Sequence, residues 1–293
     1  MTTRKGMQTR AELARAKVNL ALHVTGVRKD GYHLLESLVV FPQIGDRLAA
    51  EPSDKLECVV EGPFANDLEG PPASNLVLKA AKLFAEITGQ SDLAVKLTLS
   101  KRLPVASGIG GGSSDAATTL RLLEDFTGAY LADDQLHHLA LSLGADVPVC
   151  LNAEPRIMRG IGGDLSPAPR LPKGGIVLVN PKVGVSTPEV FKALTKKDNP
   201  PMSRLPDSFE SLETMVAFLK ECRNDLQKPA TDLCSVIGET ISALQSDERV
   251  LLTRMSGSGA TVFGLCDAEV SMNIERTLRA AHPQWWIASG ALS

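Results

Sequence analysis

The most informative segment of this sequence is a run of small residues, Pro104-Val-Ala-Ser-Gly-Ile-Gly-Gly-Gly-Ser-Ser114. Four of its five positions from 108 to 112 are glycine, and helical apolar spacing follows through Leu120 and Leu123. Glycines let backbone N–H groups approach an anion closely, and the N-terminus of the next helix favours negative charge at the same place. The run therefore predicts a phosphate-binding loop, and the alternative is a tight strand-to-helix turn without a ligand.

Two familiar nucleotide motifs do not match this loop. No Gly-Lys-Ser/Thr follows, as a Walker A loop requires, and Ser113 stands where a dinucleotide fingerprint needs its third glycine. A second glycine cluster, Met255-Ser-Gly-Ser-Gly-Ala260, precedes an apolar strand pattern and on its own predicts only a bulge. Neither loop has the Gly-x-Ser-x-Gly pattern of a hydrolase elbow.

Composition narrows the class of protein. The 293 residues predict about two domains, and 43% hydrophobic with 22% charged residues is typical of a globular chain. A net charge of −3 and only eight Phe, two Trp and two Tyr argue against a nucleic-acid partner. No apolar stretch is long enough to span a membrane. Five cysteines without a C-x-x-C pair predict reduced thiols, no structural zinc and a cytoplasmic location.

The chain mixes two periodicities. Near the N-terminus, apolar residues alternate with a polar set, which predicts a half-buried strand whose polar face carries Lys17, Asn19 and His23. A further period-two run predicts a strand at 93–99, and apolar runs predict strands at 176–179 and 262–265. Helical spacing predicts helices at 77–84, 136–143 and 212–222, the first with Ser74 as its N-cap. The mixture predicts an α+β fold, and the linker-like stretch 166–175 divides it into domains 1–165 and 166–293.

Asp146 stands out among the charged residues because it follows a predicted helix end and has apolar neighbours, in Gly144-Ala-Asp-Val-Pro148. A carboxylate at such a place is either a cap for nearby N–H groups or a buried base, and the sequence leaves both readings open. The segment Asp30-Gly-Tyr-His33 is likewise consistent with a plain hairpin connection.

The order of these motifs resembles the GHMP kinase superfamily and, within it, the kinases that act on a cytidine-diphosphate-linked methylerythritol. The Lys17-Val-Asn opening and the Gly-Tyr-His turn narrow the resemblance to that family, which covers residues 14–265. It implies a two-domain fold with an N-terminal ATP-binding domain and a smaller C-terminal α/β-sandwich domain. The active site is then expected in the cleft.

By this resemblance, the chain transfers the γ-phosphoryl group of ATP to the 2-hydroxyl of the cytidine-linked substrate in non-mevalonate isoprenoid synthesis. Asp146 is implied as the base, and Lys17 as the residue that keeps Asp146 ionised and orients the hydroxyl. Mg²⁺ is implied with ATP, although the motifs identify no ligand for it. The implied ATP-binding residues are Pro104, Val105, Ala106, Ser107, Gly108, Ile109, Gly110, Gly111, Gly112, Ser113 and Ser114.

The resemblance also implies an acceptor site. Tyr32 and Phe191 are implied around the cytosine, with His33 at the edge of the base, and Asn19 is implied as a further contact to the substrate. Thr187 and Pro188 fall where the family's second domain closes over the substrate. The chain departs from the family at Val105-Ala106-Ser107, which has one glycine fewer than the usual run, and we expect local stiffening there. The alternatives are another GHMP kinase, for mevalonate, homoserine or a sugar, and a nucleotide-binding regulator without turnover.

Overall fold

Three four-stranded sheets organise the described residues, 8–71 and 74–292, of this computed structural model. One sheet belongs to a first structural unit, which holds the residues up to Ala16, Gly45–Val105 and Gly111–Asn152. The other two belong to a second unit, which holds Lys17–Ile44, Ala106–Gly110 and the residues from Ala153 onward. Helices and sheets occur in both units, which confirms the α+β prediction.

The sheet of the first unit has the strand order β1-β4-β6-β5, antiparallel except for the parallel β5–β6 pair. Its strands are β1 (Arg10–Arg15), β4 (Gly45–Pro52), β5 (Glu57–Glu61) and β6 (Val95–Ser100). The helices of this unit are α1 (Leu76–Ile87), α2 (Gly111–Thr127), α3 (Asp133–Leu143) and α4 (Val147–Cys150).

Helix α1 lies where the apolar spacing predicts it. Val77, Ala81 and Phe84 are fully buried, because they recur on one face of the helix. The N-cap is Asn75 rather than the predicted Ser74, since the Asn75 side chain accepts a hydrogen bond from the N–H of Val77. Helix α3 also matches its prediction and ends at Gly144.

The second unit contains the sheets β2-β3-β7-β8 and β10-β11-β9-β12. The strands of the first are β2 (Val18–Val27), β3 (His33–Val40), β7 (Arg156–Gly160) and β8 (Asp164–Pro167). Those of the second are β9 (Gly175–Asn180), β10 (Leu252–Met255), β11 (Val262–Cys266) and β12 (Trp286–Ala291). The helices are α5 (Thr187–Ala193), α6 (Leu212–Glu221), α7 (Gln227–Leu233), α8 (Val236–Gln245) and α9 (Ser271–Ala281).

The proposed domain boundary after residue 165 falls inside β8, which pairs with β7. Residues 17–44, before that boundary, cluster with the later residues because β3 also pairs with β7. The structural units are therefore discontinuous along the chain. The boundary at residue 165 stays a prediction about family domains.

Strand β2 differs from its prediction in two respects. It is not half-buried, because Lys17, Asn19 and His23 are each at most 5% exposed. Its alternation is also interrupted, since the register with β3 shifts between Asn19 and Ala21 and again between Val24 and Gly26. The polar residues that the sequence assigned to one open face are thus enclosed by other segments of the unit.

His23 joins three segments of the second unit. Its Nδ1 lies 3.2 Å from the carbonyl oxygen of Pro200, and its Nε2 accepts the N–H of Arg223 at 3.1 Å. Since a carbonyl can only accept and an N–H can only donate, the ring is neutral with its proton on Nδ1. Burial first, and then the charge of Arg223, lowers the pKa of His23 below its ordinary value.

We expect the free energy of unfolding to fall as the pH drops below about 6.5, the ordinary pKa of histidine, because the unfolded chain then binds a proton that the native site rejects. His23→Gln should lower stability by about 1–3 kcal/mol at neutral pH and flatten that pH dependence. Urea unfolding at neutral and mildly acidic pH measures both effects. The exposed His138→Gln is the matched control, and an unaltered pH dependence in His23→Gln would contradict the assignment.

Candidate active site

Three consecutive carbonyls of the glycine loop accept hydrogen bonds from other segments of the second unit. The bonds are Thr261 N to Ser107 O at 3.2 Å, Ser256 Oγ to Gly108 O at 3.0 Å and Lys17 N to Ile109 O at 2.8 Å. Among the described residues, the N–H groups of Gly108, Ile109 and Gly110 donate to no backbone carbonyl. With its carbonyls turned into the protein and these N–H groups uncommitted, the loop can offer donors to an anion.

Two of the loop glycines are required by the packing of the second unit. A Cβ on Gly108 would lie 2.6 Å from the carbonyl oxygens of both Ser256 and Gly259, and its φ is +74°. Gly110 has a φ of +62°, and a Cβ there would lie 3.1 Å from Cβ of Lys17. Both positions combine a left-handed backbone with close neighbours, so side chains are excluded without any ligand.

The other two glycines begin helix α2 in the first unit. A Cβ on Gly111 would meet Nζ of Lys101 at 3.1 Å, whereas one on Gly112 would make an ordinary 3.6 Å contact with Leu76. Neither of these two glycines has a positive φ. The protein's own packing thus explains why three of the four positions are glycine. The number of glycines alone is therefore not evidence of phosphate binding.

At the loop entrance, Ala106 has a φ of +49°, in the region that favours glycine. This is one of the positions where the sequence departs from the family's usual run. An alanine there holds a conformation that costs an L-residue about 1–2 kcal/mol. Pro104 beside it is buried, and Val105 is half-buried.

The second glycine cluster, residues 255–260, packs against the glycine loop. The sequence predicted only a bulge at this segment. Ser256 is fully buried, and its Oγ accepts the N–H of Asn19 at 3.1 Å while it donates to Gly108. The Asn224 amide donates to the carbonyls of Met255 and Gly257, both at 2.8 Å. One hydroxyl therefore joins the strand that carries Asn19 to the glycine loop.

Asn19 carries a buried polar atom with no partner. Its Nδ2 donates to Oγ of Ser37 at 2.8 Å, and Ser37 donates in turn to the carbonyl of Ala21. Because the Ser37 proton is committed, the Asn19 atom facing it must be the amide nitrogen. The Asn19 Oδ1 is then left buried without a donor, which favours a ligand hydroxyl or N–H there.

The structure brings His33 and Phe191 together, with ring centroids 4.8 Å apart. Nε2 of His33 is buried and has no partner, and burial followed by the charge of Lys197 lowers the pKa of His33, which favours the neutral ring. Tyr32 lies at the tip of the β2–β3 hairpin and is 63% exposed. The interpretation of this segment as a hairpin connection is therefore correct, and His33 of the hairpin lies against Phe191 of α5.

The remaining acceptor residues begin helix α5. Oγ1 of Thr187 lies 2.6 Å from Oγ of Ser258, a residue of the 255–260 loop that the sequence did not single out. Thr187 and Pro188 are both exposed. The 255–260 loop therefore contacts the glycine loop, the Asn19 strand and the start of α5.

Lys17 belongs to the second unit and Asp146 to the first. Asp146 occupies the N-cap position of α4 and is half-buried, but its side chain makes no capping hydrogen bond. The hypothesis that Asp146 caps a helix is therefore not supported. Ser114, in the first turn of α2, lies with its Oγ 3.4 Å from Sγ of Cys150 on α4, and Ser113 before it is half-buried.

The described residues contain no group of three His, Cys, Asp or Glu side chains able to hold a metal ion. No helix among them combines the length and apolar character needed to cross a membrane. No disulfide bond joins the five cysteines, all of which lie in the described part.

Two family models match the chain. The GHMP kinases N terminal domain matches residues 75–154, and the GHMP kinases C terminal model matches residues 208–284. A 4-diphosphocytidyl-2-C-methyl-D-erythritol kinase of Cereibacter sphaeroides is 50% identical over 94% of this chain and 96% of its own. The chain belongs to this kinase family. A Rhizobium johnstonii member is 52% identical over 87% of this chain and 83% of its own.

Solved structures agree with the family. A crystal structure of 4-(cytidine 5'-diphospho)-2C-methyl-D-erythritol kinase superposes with a TM-score of 0.79 and 32% identity, over 97% of this chain and 99% of that one. A homoserine kinase from Cytophaga hutchinsonii gives a TM-score of 0.69 at 15% identity, over 100% of this chain and 97% of that one, and shows the shared fold alone. The domain boundary predicted after residue 165 lies between the two family matches.

Because Gly108 is constrained by protein packing, Gly108→Ala in this family member should lower the free energy of unfolding by about 1–3 kcal/mol without any nucleotide present. Gly112→Ala is the matched control, because its Cβ makes an ordinary contact in a helix, where alanine is favoured over glycine. Urea unfolding of the two unliganded variants makes the comparison. Equal stability of Gly108→Ala and the natural protein would show that the glycine serves only a ligand.

Proposed function

We propose that this chain transfers the γ-phosphoryl group of ATP to the 2-hydroxyl of 4-diphosphocytidyl-2-C-methyl-D-erythritol, a step in non-mevalonate isoprenoid precursor synthesis. The chain is a kinase by family. The observation that carries the substrate assignment is that two buried atoms, Oδ1 of Asn19 and Nε2 of His33, have no hydrogen-bond partner. Both belong to residues that the sequence assigns to the acceptor, and an unpaired buried polar atom is costly unless a ligand satisfies it.

The glycine loop is the proposed ATP phosphate site. Its support is the inward-turned carbonyls of residues 107–109 and the start of α2 at Gly111, where the first N–H groups of a helix have no partner within the helix. These donors and the positive helix end suit a polyphosphate. The assignment covers Pro104–Ser114 as a unit, with the first residues shaping the loop rather than donating to it.

Mg²⁺ fits this scheme as a companion of ATP rather than as a resident ion. The described residues provide no cluster of three metal-ligating side chains, and Mg²⁺ is commonly held by substrate phosphates and water. We therefore assign it no side chain. When bound, it neutralises phosphate charge, which phosphoryl transfer requires.

We propose Asp146 as the base and Lys17 as the group that orients the acceptor hydroxyl. The hydroxyl proton passes to the Asp146 carboxylate as its oxygen attacks the γ-phosphorus, and the bond to the β-phosphate oxygen breaks to release ADP. An ammonium near a carboxylate favours the ionised form that a base needs. The Asp146 side chain does not cap α4.

The proposed cytosine site consists of three ring-bearing residues of the second unit, Tyr32, His33 and Phe191. Tyr32 is exposed at the hairpin tip, and Phe191 packs beside His33, whose neutral ring can read the edge of a base. Thr187 and Pro188 at the start of α5 are assigned to the same substrate. The five cysteines without disulfide bonds support a reducing, cytoplasmic location, and small molecules are the proposed partners.

Asp146→Asn should lower kcat by at least about a hundredfold, because an amide cannot accept the hydroxyl proton. Its affinity for ADP should change little, since the phosphates are assigned to the glycine loop. Phosphoryl transfer to the cytidine substrate and ADP calorimetry separate the two effects. Asp134→Asn, on the exposed side of α3, is the control, and near-normal turnover in Asp146→Asn would return Asp146 to a structural role.

Tyr32→Ala or Phe191→Ala should raise the KM for the cytidine substrate by about ten- to a hundredfold, because stacking on a base contributes about 1–3 kcal/mol. The KM for ATP should stay nearly constant, and His33→Ala should act in the same way as the aromatic variants. Tyr130→Ala is the matched control, since Tyr130 is comparably exposed, at 69%, in the first unit. Unchanged acceptor KM in both aromatic variants, or faster turnover of mevalonate or homoserine, would reject the cytidine assignment.

A further inference from the structure

Three charged side chains are buried together in the first unit, behind the start of α2. The Lys101 ammonium donates to Oδ2 of Asp46 at 2.5 Å and to Oδ2 of Asp115 at 2.7 Å. Each of the three residues is at most 3% exposed. Asp46 lies in β4, Lys101 directly follows β6, and Asp115 lies in α2 just after Ser114. None of the three belongs to the residues proposed for the transfer reaction.

The two carboxylates of this cluster are unequally satisfied. Oδ1 of Asp46 accepts the N–H groups of Arg102 at 2.5 Å and Leu103 at 2.8 Å. Oδ1 of Asp115 is buried and has no partner. One ammonium faces two carboxylates, so the cluster carries a net negative charge whenever both are ionised. The less satisfied carboxyl, that of Asp115, is the one that a proton will occupy first.

The titration of this cluster is set by the groups that face Asp115. Burial first, and then the charge of Asp46, raises the pKa of Asp115 to about 7 against the opposing effect of Lys101. Burial lowers the pKa of Lys101, but Asp115 and Asp46 outweigh burial and raise it, so the ammonium stays charged. Burial first, and then the charge of Asp115, raises the pKa of the Cys58 thiol in β5. The thiol is therefore neutral.

The cluster lies directly behind the proposed phosphate donors. A Cβ on Gly111, the first residue of α2, would be 3.1 Å from Nζ of Lys101 and 3.7 Å from Oδ2 of Asp46. The charges are thus close to the helix N-terminus and are shielded from water. At that depth, a change of one unit charge acts on bound phosphates with little screening by salt.

We propose that Asp115 is a positioning residue that tunes the affinity for the donor nucleotide through the charge behind the first turn of α2. Ionised, Asp115 gives the cluster a net negative charge and weakens the binding of phosphates. Protonated, it leaves a neutral Asp46–Lys101 pair, and the helix N-terminus attracts phosphates at full strength. The proposal rests on the assignment of the glycine loop to the ATP phosphates.

The test is calorimetric binding of ADP with saturating Mg²⁺ to the full chain at about pH 6 and about pH 8.5, on either side of the titration. The natural protein should lose about fivefold or more in affinity between the two conditions. Asp115→Asn should lose that step, because asparagine keeps the shape and an acceptor for Lys101 but carries no charge. Asp125→Asn, the same substitution on the exposed part of α2, should retain it. The ionisation of ADP itself is common to all three proteins and cancels in the comparison.

Adenosine is the second probe. Because it lacks phosphates, its affinity should not change with pH in any of these proteins. A pH step of equal size in the natural protein and Asp115→Asn would overturn the proposal and leave the cluster a purely structural role. So would an equal step for adenosine.

If Asp115→Asn does not fold, the natural protein alone decides. An ADP affinity that is constant with pH, after correction for the ionisation of ADP, overturns the proposal. These measurements need no acceptor, so failure of the proposed function appears separately, as absence of transfer to the cytidine substrate.

Discussion

The glycine loop depends on a backbone-to-backbone contact that tolerates no side chain. The 255–260 segment lies so close to Gly108 that a single added carbon would be 2.6 Å from two carbonyl oxygens. The contact places the Ser256 hydroxyl where it can donate to Gly108 and accept from the strand of Asn19. The loop carbonyls thereby accept hydrogen bonds within the second unit. The N–H groups on the other side of each peptide plane then become available for an anion.

Much of the secondary structure follows from local sequence. Apolar spacing predicts α1 and α3 to within a few residues, because a helix that buries one face needs that spacing wherever it lies. The strands β6, β9 and β11 also occur where period-two or continuous apolar runs predict them. The error at the N-cap of α1 is one residue, and it arises because Ser74 and Asn75 are both competent caps.

The features that the sequence could not predict depend on contacts between distant segments. The buried position of His23 needs Pro200 and Arg223, and the role of Ser256 needs Asn19 and Gly108. The glycine run could be recognised in the sequence, but the contacts that require glycine there could not. Those contacts are made by neighbours such as Lys101, which only the fold brings close. The identities of Lys17, Asp146 and the acceptor residues came from resemblance to a family, because an isolated lysine or aspartate carries no sign of its partner.

The discontinuity of the two units bears on the order in which the chain can assemble during synthesis. All residues of the first unit have been made once Asn152 is complete, whereas residues 17–44, made early, belong to a sheet that also needs β7. The sheet that contains the β2–β3 hairpin therefore cannot be completed until β7 has been made. The 255–260 support for the glycine loop comes still later, so a ribosome-bound chain lacking it has the glycines without the contacts that shape them. The loop conformation that we propose for phosphate binding thus needs residues that are made near the end of the chain.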